Sequence, residues 1–118
     1  MANPNIVNVT SIYGKTSVQE VAVSAADIVE NSASSGYIVK INNLNISNIT
    51  ASAANIIVSV FRSSVEYKIV HNVSVPANAA FTAIDKPTGI YLEEGDSLRL
   101  TAGTGSALHA VCSYEIIS

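Results

Sequence analysis

Apolar and polar residues alternate along most of this chain with a period of two, and no window of ten residues carries a convincing 3.6-residue period. That pattern predicts strands rather than helices. The strongest run, residues 37–50, places Val39 and Ile41 on one parity and Leu44 and Ile46 on the other. A slip of one residue moves the apolar set to the opposite face, so a β-bulge is expected near Asn42 and Asn43. Residues 55–62 carry Ile56, Val58 and Val60 on one face and Ile57 and Phe61 on the other, as in a strand covered on both sides. Residues 65–75 place Val65, Tyr67, Ile69, Val73 and Val75 on one parity, with His71 among them. Pro76 stops that strand because it has no N–H to give to a ladder.

The flanking segments read less sharply. Residues 1–12 form an extended arm in which Pro4 blocks early pairing, and residues 13–118 form a single domain. An extended piece from Ile6 to Tyr13 is followed by a turn at Gly14 and Lys15, then by a second piece through Val18, Val21 and Val23. Ile28 and Val29 favour a strand, being β-branched, and residues 31–36 (NSASSG) are a loop. After Pro76, short strands are expected around Phe81–Ile84, Ile90–Leu92 and Leu98–Leu100. Glu93, Glu94, Gly95 and Asp96 make a solvated acidic hairpin turn that sets the register of Leu98 and Leu100 in the core, and Gly103–Ser106 (GTGS) makes a second hairpin turn. The last strand puts Leu108, Ala110, Cys112, Tyr114 and Ile116 on one face, with Val111 and Ile117 on the other. About eight short strands punctuated at this spacing predict an all-β fold: an antiparallel β-sandwich, jelly-roll or immunoglobulin-like.

Composition changes the picture in one respect. Of 118 residues, 48% are hydrophobic and only 13% are charged, roughly half the usual charged share of a globular domain. A sandwich core uses one face of each strand, so the second apolar set needs cover from elsewhere. The candidate contacts with other subunits are therefore Ile57, Phe61, Val70, Val111 and Ile117, with His71 beside them, and Ile6, Val7 and Val9 on the arm. The arm could add a strand to a neighbour.

Candidate chemistry is sparse. The net charge of −3 and six scattered basic residues supply no patch for nucleic acid. No apolar run approaches the length of a membrane span, and no secretory signal is recognisable at the N-terminus. Glu93, Glu94 and Asp96 offer three carboxylates where calcium asks for six to eight oxygens. The segment GTGS lacks the lysine of a phosphate loop. Cys112 reads as a small buried hydrophobe, and His71 has no ligand-spaced partner. No catalytic residue, metal ligand or cofactor is expected. The sequons at Asn8, Asn45, Asn48 and Asn72 read as ordinary polar β-surface.

Four segments carry a resemblance: VKINNLNISNITASAANIIVSVF at residues 39–61, VSVPANAAFTAIDKP at 73–87, LEEGDSLRLTAG at 92–103 and SYEIIS at 113–118. In these the chain resembles small virion structural proteins of tailed bacteriophages, particularly marine and cyanobacterial ones. The resemblance implies a non-enzymatic β-sandwich subunit made in the host cytoplasm and assembled into the virion. A capsid decoration or cement protein is expected, bound as a homo-oligomer such as a trimer to the major capsid protein or another virion protein. A tail, neck or fibre component with a receptor-binding role is the alternative.

Overall fold

A computed structural model describes residues 4, 5 and 7–118. Nine strands form among them: β1 (Ile12–Glu20), β2 (Ala26–Glu30), β3 (Ile38–Asn48), β4 (Ala54–Arg62), β5 (Val65–Val75), β6 (Ala80–Ile84), β7 (Ile90–Leu92), β8 (Ser97–Ala102) and β9 (Leu108–Ile117). They build two antiparallel sheets. The first runs β1-β9-β3-β6, with β7 also paired to β3, and the second runs β2-β8-β4-β5. The pairings are nested: β1 with β9, β2 with β8, β3 with β6 and β7, β4 with β5. A long hairpin rolled into two facing sheets gives this order, and it is the jelly-roll form of the expected sandwich.

Nesting explains where the turns differ from expectation. The acidic turn at residues 93–96 joins β7 in one sheet to β8 in the other, and residues 103–107 carry the chain back from β8 to β9. Both are therefore crossings between sheets rather than hairpins. Direct hairpin pairing of consecutive strands occurs at β4 and β5. Their two-residue turn, Ser63 and Ser64, has positive φ at both positions (51° and 63°), which matches the right-handed twist of the strands.

The core is filled from one face of each strand. Ile41, Leu44, Ile46, Ile56, Val58, Leu92, Leu98, Leu100 and Leu108 are fully buried in a single cluster between the sheets. The expected bulge in β3 is present: the register against β9 shifts between Ile41 and Asn43, which keeps Ile41 and Leu44 both in the core. On β9, Leu108, Ala110 and Cys112 are buried, and Tyr114 and Ile116 pack against the same cluster.

Two segments depart from the pattern. Gly14 and Lys15 lie inside β1, opposite Glu115 and Tyr114 of β9, because the ladder continues through them without a shift. In β5 the register against β4 shifts twice, between Val70 and Val73 and between Lys68 and Val70. The expected single parity of Val65 to Val75 is therefore broken. Val70 is buried opposite Val58, while Ile69 and Val73 remain exposed.

Buried polar side chains close the connections. Asn48 donates through Nδ2 to Ser52 O (2.8 Å) and Val75 O (3.1 Å), and its Oδ1 accepts from Thr50 N and Thr50 Oγ1. Asn31 donates to Tyr37 O and Leu92 O and accepts from Ser35 Oγ. Each amide replaces several backbone bonds that irregular chain cannot make.

Candidate interaction surface

The acidic turn is a structural clamp. Asp96 is buried, and its carboxylate accepts from Arg62 Nε (2.8 Å), from Arg62 Nη2 and from Glu93 N. Glu93 also accepts from Arg62 (2.9 Å), and Glu94 Oε2 accepts from Gly36 N (2.7 Å). The bond to Asp96 is the main cause that holds the Arg62 guanidinium above its ordinary pKa. The turn is thus less solvated than its composition suggests, and Gly95 at its tip has φ +88°, a conformation that disfavours a side chain. Among the described residues, no three His, Cys, Asp or Glu side chains are grouped to hold a metal ion. Among these residues no helix is long and apolar enough to cross a membrane.

Cys112 lies in the core opposite Leu44, and burial pushes its thiol up to about 12. A thiol that stays protonated at neutral pH and is shielded from solvent is a poor nucleophile and a poor disulfide partner.

The expected contact residues divide. Ile6 lies outside the described residues. Val7 is exposed and Val9 half-buried ahead of β1. Thr10 N and Ser11 N both donate to Ser118 O, and Ser118 N donates to Ser11 O, so the segment is tied to the end of the chain from Thr10 onward. Val70 belongs to the core cluster, and Ile117 is buried opposite Ile38. Neither offers surface to a partner. Parity gives the face of a strand but not what already covers that face.

Ile57 and Phe61 lie on the outer face of the second sheet, half-buried. Here the chain supplies its own cover. The Arg99 guanidinium sits 3.5 Å from the centre of the Phe61 ring, and Arg99 Nε donates to Asp27 Oδ1 at 2.9 Å. That stack is worth roughly 0.5–1 kcal/mol at an exposed site, and it leaves Phe61 with little free apolar area. His71 is exposed within the register-shifted part of β5.

Val111 has a different setting. It lies on the outer face of the first sheet, and its partner on β1 is Val18. The two valines are 40% and 72% exposed, and Ile12 at the start of β1 is 55% exposed. Val18, Gln19 and Glu20 with His109, Ala110 and Val111 line a shallow groove on this face. His109 Nε2 stands 3.6 Å from the Glu20 carboxylate at its end. The sequence pattern pointed to Val111 but not to Val18. Only the pairing of chain start with chain end puts the two together.

No protein-family model matches the chain, and no curated protein matches it. Among solved structures, a chain from Bacillus endospore appendages, described as a novel family of disulfide-linked pili, is similar in fold. The TM-score is 0.53 at 13% identity, covering 91% of this chain and 85% of that one.

Proposed function

We propose that the protein is a non-enzymatic structural subunit that works by packing against other copies and against a larger particle. Its most specific form is a bacteriophage capsid decoration or cement protein, bound as an oligomer to the major capsid protein. The observation that carries the reading is the exposed Val18–Val111 pair with Ile12 on the same sheet face. Apolar cross-strand pairs left in water cost stability that covering them restores. The jelly roll is a subunit fold of viral capsids among other uses, and the phage-like segments at residues 39–61, 73–87, 92–103 and 113–118 point the same way.

Gold-labelled antibody against the protein, applied to intact particles of the virus encoding it, tests this directly. Label over the head is expected. Particles without label would overturn the virion assignment, and label confined to the tail would replace decoration with a tail, neck or fibre role.

A filament subunit is the second reading, favoured by the likeness to the endospore pili. In that case the linkage would differ from the disulfides named for those pili, because Cys112, the one cysteine of this chain, is buried.

A further inference from the structure

Backbone at the rim of a sheet presents alternate N–H and C=O groups to one side, and proteins usually blunt such rims with bulges, short strands or inward charges. In this molecule β5, at one rim of the second sheet, carries two register shifts and has Asn72 at φ +53°. Its opposite rim, β2, has five residues and a shift of its own, as does β6 at one rim of the first sheet. Strand β1 forms the other rim of the first sheet and is neither short nor bulged; Lys15, on the parity of Ser17 and Gln19, is its one charged residue before the terminal Glu20. It runs nine residues, pairs with β9 without a shift, and is exposed from Ile12 through Thr16.

We infer that β1 is a dimerisation edge, pairing antiparallel with β1 of a second copy of this chain so that the two first sheets become one continuous sheet. The inference rests on the reading of the protein as an assembling subunit and names the contact. The choice of a second copy follows from self-complementarity. A two-fold axis perpendicular to the sheet requires a residue to face itself, and pairing the whole of β1 puts Thr16 opposite Thr16. Lys15 then faces Ser17, Gly14 faces Val18, Tyr13 faces Gln19 and Ile12 faces Glu20. No like charges are opposed, and Thr–Thr is a favourable cross-strand pair. Moving the axis one residue toward the N-terminus opposes Lys15 to Lys15, and moving it the other way unpairs the end of the strand. The edge is also held in place beforehand. Ser17 Oγ donates to Ile28 O (2.9 Å) and Gln19 Nε2 to Asp27 O (3.1 Å), fixing β1 against β2. Ordering cost on association is reduced accordingly.

The test is a register-specific disulfide in the full-length chain. Thr16→Cys keeps a small side chain at the two-fold axis, where facing Cβ atoms come within roughly 4.5–5.5 Å, close to disulfide reach. The native Cys112 is buried and does not compete. Under mild oxidation Thr16→Cys should form a covalent dimer about tenfold faster than Lys15→Cys, whose thiols do not face each other in this register. A mixture of Lys15→Cys and Ser17→Cys should give the mixed dimer, which keeps the test decisive if one variant folds poorly. Equal rates at residues 15 and 16, or no covalent dimer from either arrangement, overturn the β1 edge. Light scattering then separates the two claims: an oligomer that fails to cross-link removes only the edge, whereas a monomer removes the assembly reading as well.

Discussion

Arg62, the last residue of β4, grips both carboxylate oxygens of Asp96, which opens the way into β8. The pair is lopsided: the Asp96 side chain is 3% exposed and that of Arg62 46%. Removing the arginine therefore leaves a buried carboxylate with two fewer donors. Arg62→Ala should lower stability by about 1–3 kcal/mol, read as a lower urea midpoint with an unchanged m-value. Arg62→Lys should recover part of the loss, since one ammonium cannot reproduce the fork.

Cys112 gives the molecule an alkaline limit. Its thiol is raised from about 9 to about 12 by burial, so the folded form stays neutral where the unfolded chain ionises. A raised acid contributes nothing adverse below the unfolded value, and stability falls as pH climbs from about 9 toward 12. The slope of that loss is at most about 1.4 kcal/mol per pH unit. Urea titrations across this range should show the decline in the wild type and a smaller one in Cys112→Ala. At neutral pH the thiol should react with a disulfide reagent only after denaturant is added.

The turn between β4 and β5 is under backbone strain. Ser63 and Ser64 both occupy the left-handed region, which costs an L-residue roughly 1–2 kcal/mol. Ser64→Gly should raise stability by about 1 kcal/mol, measured as an increased Tm. A decrease would mean that the serine side chain contributes more than its conformation costs.

Asn48 restrains the β3–β4 connection through four side-chain hydrogen bonds, to Ser52 O, Val75 O, Thr50 N and Thr50 Oγ1. Asn48→Ala strands the Val75 and Ser52 carbonyls and the Thr50 amide, and should cost about 2 kcal/mol or more. Hydrogen exchange at Thr50 N should accelerate in the variant.

Local signals located much of this architecture. The β-branched run of β4, the proline after β5 and the phase slip at Asn42 are properties of adjacent residues, so alternation finds them. The pairing partners are not local. Gly14 looks like a turn until β9 lies beside it, and the acidic segment at residues 93–96 looks like a hairpin until its two strands fall in different sheets. The candidate surface divides in the same way. Val111 was legible because its whole strand alternates cleanly. Val18 was not, because its exposure follows from β1 being a rim, and Phe61 looks bare in the sequence because Arg99, held by Asp27, reaches it from another strand.

Light scattering on the wild type and on Val18→Lys, at matched concentration, addresses the assembly claim most directly. Val18 is 72% exposed, so lysine there should change Tm by no more than about 0.5 kcal/mol's worth of stability. The account predicts an oligomeric wild type and a variant that forms smaller assemblies with the fold intact. A wild type that stays monomeric at high concentration, or a variant that assembles as well as the wild type, would contradict it.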